Sequence, residues 1–507
     1  MRYGSISPSS TPAAPHCIPP TMATTANTFD PTHVQGDILP GLPKRVQHYL
    51  LFQIDDDVVA FRERLNLLIP LITTTAQVQD HREKIAAYKK VAAELGIIPA
   101  PLSMWGVNIA FSHSGLVKLG ISDDIGDTAF NNGQLADSQT LGDPRAPGNN
   151  DSFTPDWINA FKNPVHGVII ISGDSDLTVE STHTMVSLMF NIGFRITLHE
   201  VLTLKGVVRP GDQKGHEHFG FLDGISQPAV KDFDTKPDPG QETVRQGVIL
   251  CGRENDVDAN NKNKPFVRPA WALDGSFLTL RYLFQLVPEF NNFLKESADP
   301  LHGFTADLIG ARLMGRWKSG APTDLFPLGD NPAAGTDPSQ RSNFRYDPSS
   351  QDRCPFAAHT RKVNPRADLE SLPGLSQATE NRRIIRRGIQ FGPEVTAEEA
   401  SSGKTQQGRG LIFVAYSGSI TNGFQFIQHS WANNTKFPID KDPVVPGLDP
   451  IIGQNGVDNV RVRSMAGVHP NNTNASFPLP TDWVVPKGGE YFFSPSIPAL
   501  RSTFALA

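Results

Sequence analysis

The sequence predicts a globular chain of two units that mix strands and helices, on three observations. At 507 residues it is longer than one compact core usually holds. Strand-like and helix-like apolar periods alternate, irregularly, along both halves. A Pro/Asp/Lys-rich stretch at 231–243, KDFDTKPDPGQET, lies between the halves and has the composition of a linker. Apolar residues at 38% and charged residues at 19% exclude a disordered or fibrous chain. The net charge of −6, with no basic block interleaved with aromatics, excludes a nucleic-acid footprint. No run approaches the roughly 18 apolar residues of a membrane span, so no membrane partner is expected. Cys17, Cys251 and Cys354 cannot all pair within the chain and show no CxxC spacing, so disulfides are not its organising principle.

The elements follow in order. Residues 1–28, rich in Ser, Thr, Pro and Ala, lack the apolar centre of a signal peptide and read as a disordered tail; Met22 opens a second plausible start, MATTANTFDP. Ordered sequence begins near Val34. Residues 48–54 (HYLLFQI) read as a strand, and an apolar-periodic helix follows Asp55-Asp56-Asp57. Residues 104–111 and 168–172 read as further strands, 176–190 as a helix capped by Asp176, and 196–208 as a strand or hairpin arm. After the boundary, 276–284 and 305–317 read as helices, 411–416 as a strand followed by a helix reaching Trp431, and 490–493 as a terminal strand. Residues 318–353 form a Pro/Gly/Ser/Asp-rich loop too long for a mere connector, hence a lid, a channel wall or a surface excursion. Gly and Pro make up about 17% of the chain against a usual sum of roughly 12%, in line with long irregular connections.

Fourteen histidines select nothing by number, so their surroundings must do it. In His216-Glu217-His218-Phe219-Gly220-Phe221-Leu222-Asp223-Gly224, Gly220 and Gly224 would let backbone approach a ligand closely. His216 and His218 offer a weak HxH metal pattern, and Asp223 taken alone reads as a turn aspartate. In Cys354-Pro355-Phe356-Ala357-Ala358-His359-Thr360-Arg361-Lys362, His359 emerges from a small apolar patch of the kind that suits a haem-iron ligand. Arg382, Arg383, Arg386 and Arg387 taken alone read as a solvated basic face.

The ordered set GFLDG at 220–224, CPFAAHTRK at 354–362 and RRIIRRGIQFGP at 382–393 resembles the dye-decolorizing peroxidases, haem peroxidases of fungal type. The resemblance runs from VQGDILPGLPK at 34 to GGEYFFSPS at 488–496. It implies an α+β fold of two ferredoxin-like modules, each an antiparallel sheet with peripheral helices, over 29–243 and 244–507, with haem b in the C-terminal module. Carried over residue by residue, it implies His359 as the axial iron ligand and Asp223 with Arg387 as the peroxide-side pair. Asp449 is then the carboxylate behind His359, and Arg361 a partner for a haem propionate. Leu411 and Phe413, on alternate positions of one strand, are apolar residues shaping peroxide access. Trp431 is a surface site for electron transfer from bulky dyes; Phe391 stands where the family often has tyrosine, which shifts weight to Trp431 or Tyr416.

The activity so implied reduces hydrogen peroxide and oxidises dyes, phenols and other aromatics in one-electron steps. A carboxylate base with an ordinary pKa of roughly 3.9 works in acid where a histidine at roughly 6.5 would be protonated, so the expected optimum is acidic. Asp347 with Asp352 offers oxygen ligands that suit Mn²⁺. The resemblance also implies an extracellular protein, monomeric or weakly self-associating. Three rival readings exist: a thiolate-ligated peroxygenase using Cys354, a haem carrier or sensor in which Asp223 and Arg387 merely satisfy propionates, and a copper or zinc protein built on His216 and His218.

Overall fold

The computed structural model describes residues 29–505, apart from 149–151, 194, 371, 373–378 and 455–462. The tail at 1–28, with Cys17, therefore lies outside the described residues. The first module runs β1 (Val46–Ile54), helices α1 (Val58–Leu68) and α2 (Thr75–Glu94), β2 (Trp105–Phe111), β3 (Gly167–Gly173), helix α3 (Asp176–Phe190) and β4 (Leu198–Val207). Its strands pair antiparallel in the order β4–β1–β3–β2. The second runs β5 (Ser276–Gln285), helices α4 (Val287–Glu296) and α5 (Ala306–Met314), helix α6 (His359–Val363), the short strands β6 (Ile385–Arg386) and β7 (Ile389–Phe391), then β8 (Gly410–Ser417) and β9 (Val484–Ser494). Both β6 and β7 pair with β8, and the order β6–β8–β5–β9 repeats that of the first module. Each half is thus a ferredoxin-like α+β unit.

The halves share one nine-stranded sheet, joined where Phe493 of β9 pairs with Phe111 of β2. At the other end β4 turns against β7: a Cβ on Gly206 would meet Ile389 Cγ2 at 2.3 Å, so only glycine permits that approach. The two faces of the sheet bury separate cores. Leu50, Phe52, Val107, Ile109, Phe277 and Phe493 pack under α1 and α3 on one face. Tyr49, Leu51, Ile170, Leu278, Ile412 and Val414 pack on the other.

Two local expectations change. Residues 276–284 form β5, not a helix; the strand lies between β8 and β9 and is largely buried on both faces, so that apolar Phe277 and Leu283 share a face with Thr279 and Arg281 and blur the period-2 alternation that marks a half-exposed strand. The cap of α3 is Ser175, whose hydroxyl accepts from the Thr178 amide, rather than Asp176. The strands at 48–54, 104–111, 168–172, 196–208, 411–416 and 490–493 fall within or against strands of the sheet.

Candidate active site

A cavity of about 400 Å³ opens against the second module, lined by residues drawn from many stretches between Glu217 and Pro486. His359, the first residue of α6, enters from one wall; Ala357 and Ala358 are fully buried beside it. Its Nδ1 is 2.9 Å from Asp449 Oδ2. Asp449 is fully buried, and its other oxygen accepts from the amides of Ile451 (2.8 Å) and Ile452 (2.9 Å). Burial alone would raise this carboxyl, but the His359 imidazole and the two amides hold it below the usual carboxylate range. An ionised Asp449 accepts the Nδ1 proton, which leaves the Nε2 lone pair of His359 free for a metal.

The opposite chemistry comes from the 216–224 segment. Glu217 organises it: Oε2 accepts from the Phe219 amide (2.9 Å), Oε1 from the Phe221 amide (2.8 Å), and Gln285 at the end of β5 donates to Oε2 (2.5 Å). Burial pushes the Glu217 carboxyl up, against these hydrogen bonds. The loop so held presents Asp223, half-buried, to the cavity, beside Gly224 at φ +76° with open space around its Cα. Asp223 Oδ1 accepts from Arg386 Nη1 and from the Gly224 amide, both at 2.6 Å. Burial works to raise the Asp223 carboxyl, but the Arg386 guanidinium and the amide prevail, so it lies below the usual range and stays ionised into acid.

The arginine facing Asp223 is therefore Arg386, not Arg387. On β6, Arg386 pairs with Ala415 of β8, which shares its face with Leu411 and Phe413, and both of these line the cavity. Arg387 falls on the other face, where Nε donates to Asp37 O (3.0 Å) and Nη2 to Ile38 O (3.1 Å). Burial lowers its guanidinium to about 10. Arg361 is likewise displaced from its expected role: it is 1% exposed, forks onto Asp368 (2.7 and 2.8 Å) and donates to the carbonyls of Asp347, Ser350 and Cys354. Among the buried arginines that line the cavity, Arg383 is paired with Glu242 at 2.5 Å and holds Nε and Nη1 without an acceptor.

Trp431 is 3% exposed, stacked on Phe437 at 5.1 Å and edge-on to Phe426, so it is core rather than surface. Tyr416 is also buried, its hydroxyl donating to Asp37 Oδ2. Cys354 is 1% exposed in a small cluster with Phe344, Tyr346 and Ala358, does not line the cavity, and burial pushes its thiol up to about 11; a thiolate ligand has no support in this geometry. His218 donates to Phe391 O (2.9 Å), and neither it nor His216 joins a metal-ligating cluster among the described residues.

Comparison with known proteins decides the family. Residues 33–210 match the model of the DyP dimeric alpha+beta barrel domain. Dye-decolorizing peroxidase AauDyP1 of Auricularia auricula-judae is 41% identical over 491 residues, 94% of this chain and 87% of that protein. The chain belongs to the dye-decolorizing peroxidase family. Peroxidase 2 of Mycetinis scorodonius is 40% identical over 99% of this chain and 92% of its own length. Among solved structures, an ancestral D-type dye-decolorizing peroxidase is 54% identical with a TM-score of 0.86, over 94% of this chain and 100% of that one. A point mutant of the Pleurotus ostreatus enzyme is 46% identical with a TM-score of 0.87 over the same shares. The protein is accordingly a peroxidase that oxidises dyes and aromatic compounds, and its family uses haem. The cavity's residues fit that group: a carboxylate-backed imidazole, apolar walls at Leu411, Phe413, Ile451 and Ile452, and a buried guanidinium with unused donors suited to a propionate.

Proposed function

We propose that this chain binds haem b in the cavity through His359, with Asp223 and Arg386 acting together on hydrogen peroxide. When bound, the haem supplies the iron that accepts peroxide and the redox capacity for one-electron oxidation of substrates. Asp449 holds the His359 ring and keeps its Nε2 basic, while Arg383 receives a propionate. Asp223, ionised, takes a proton from one peroxide oxygen and returns it to the other, so that the second oxygen departs as water when the O–O bond breaks. Arg386 offsets the negative charge that grows on that oxygen, a task that needs a permanent cation. Leu411 and Phe413 keep the approach narrow and dry. Two phenols then each give up one electron and one proton, and the overall exchange converts one peroxide to two waters and two phenoxyl radicals; a dye with no proton to give supplies the electron while water supplies the proton.

The observation that carries this reading is the 2.6 Å Asp223–Arg386 pair in the same cavity as the His359–Asp449 pair. A related dye-decolorizing peroxidase, 41% identical with a TM-score of 0.80, has been solved with 2,6-dimethoxyphenol, which favours phenols among the substrates. We extend the proposal to an acidic optimum, to functional modules meeting at 231–243, and to an extracellular site of action. Loss of about 10²- to 10⁴-fold in the peroxide-dependent rate in Asp223→Asn, with the haem spectrum retained, is expected; an unchanged rate would sink the assignment.

A further inference from the structure

Away from the cavity, three elements of the first module assemble a second group of ligating side chains. Glu180 and His183 on α3 form a Glu-x-x-His pair, three residues apart and so on one helical face. His48 projects from β1, and Glu200 stands on β4, the terminal strand of the sheet. His48 Nδ1 lies 3.4 Å from His183 Nδ1, and His48 Nε2 lies 3.8 Å from Glu180 Oε1. One ligating atom from each of His48, Glu180 and His183 falls within 4.8 Å of the others, and Glu200 Oε2 is 3.6 Å from His183 Nε2. Among the described residues no other three histidine, cysteine or acidic side chains meet in this way.

We propose that His48, His183 and Glu180 form a three-ligand zinc site, with the Glu200 carboxylate behind Nε2 of His183, the ring nitrogen turned away from the ion. Two nitrogens about 2.0–2.1 Å from one tetrahedral Zn²⁺ lie about 3.4 Å apart, the separation of the two Nδ1 atoms. As a hydrogen bond the same contact is long and gives a buried histidine little reason to face another. Mixed imidazole and carboxylate donors suit zinc, whereas calcium and magnesium favour oxygen alone. His48 is 1% exposed, so a ring held there is shielded from water, and the neutral imidazole is the ligating form. The one competitor is Lys205, paired across β1 and β4 with His48 and 2.6 Å from Glu180 Oε1. Its ammonium is exposed, such a pair contributes little, and the side chain can swing into water as the ion enters. The bound ion would clamp α3 to β1, beside β4.

The test uses the full-length haem-loaded protein, stripped of adventitious metal by chelator, titrated calorimetrically with Zn²⁺ and assayed for zinc and iron content. One zinc per chain is expected, with a rise in Tm. His183→Ala should weaken binding by at least about 100-fold, since even outer partners of ligating groups are worth roughly 10- to 100-fold, and should abolish the rise in Tm. Glu180→Gln, at an exposed position that folding tolerates, should weaken binding too. Lys205→Ala should tighten it by removing the competing cation. Dye turnover should be the same in all three variants. Equal zinc affinity in the parent and both His183→Ala and Glu180→Gln, or no tightening in Lys205→Ala, would overturn the proposal.

Discussion

The adjacent arginines Arg386 and Arg387 offer a sharp separation of catalysis from folding. Arg386→Leu removes the guanidinium that donates to Asp223 at 2.6 Å and leaves that carboxylate without its cationic partner in the cavity. Losing one preorganised donor aimed at developing charge typically costs about 10²- to 10³-fold in rate. The carboxyl of Asp223 is held low mainly by that guanidinium, so its pKa rises in the variant and the acid limb of the rate profile moves to higher pH. Arg387→Leu does something else: the carbonyls of Asp37 and Ile38 lose their donor in a buried setting, at about 1–3 kcal/mol each. That change should lower Tm while the folded fraction keeps its peroxide-dependent rate. Stopped-flow mixing with peroxide, followed at the Soret band, and calorimetric melting of both variants make the comparison. A hundredfold slower peroxide reaction in Arg387→Leu, with Arg386→Leu unaffected, would refute the assignment of the two side chains to opposite faces of β6.

Three further outcomes are expected. Asp449→Asn replaces the acceptor behind His359 and should cost about 10- to 100-fold in haem retention, read as the rate of haem transfer to an acceptor globin. Trp431→Ala should destabilise by about 3–5 kcal/mol as a buried aromatic deletion, seen in denaturant melts, while the folded enzyme turns over an anthraquinone dye at the parental rate. Burial, aided by Arg209, depresses the imidazole of His218 to about 4 in the folded chain. The unfolded chain, near roughly 6.5, takes up the proton first, so stability is complete above that value and falls as pH drops toward about 4, by on the order of 3 kcal/mol; His218→Asn should flatten that part of the stability–pH curve, and an unchanged slope would rule out this imidazole as its source.

What could be read from the sequence followed from local pattern, and what could not depended on parity and burial. The strands at 48–54, 104–111, 168–172 and 411–416 are short apolar runs between turn residues, and the segment carrying His359 and its partner Asp449 are marked by flanking residues of high specificity. Between Arg386 and Arg387 the motif alone does not choose, because one residue of register exchanges the cavity for the core. The alternation did hold the answer: Ile385 and Ile389 bury in the core shared with Ile412 and Val414, so Arg386 must share the face of Leu411 and Phe413. For 276–284 no such signal exists, since a strand covered on both faces loses its period. Trp431 reads as surface or core with equal ease until Phe437, six residues on, is seen stacked against it.

Arginines in and behind the cavity wall answer a different need, created by the glycine and proline excess. A loop such as 318–353, with one short helix and no sheet ladder, exposes carbonyls that nothing in its own backbone can satisfy. Arg312 donates to the carbonyls of Gln351, Asp352 and Gly467, Arg316 to those of Gly320 and Arg341, and Arg366 to those of Ser342 and Phe344. Arg361 does the same for Asp347, Ser350 and Cys354, with its charge balanced by Asp368. The guanidinium has five donors in a fixed fork, which makes it the side chain able to bridge several carbonyls at once. The loop so fixed contributes Arg341, Ser342, Phe344 and Tyr346 to the cavity lining. It is a wall of the site rather than a lid, and Arg361 belongs to the masonry of that wall, two residues from the imidazole that would hold the iron.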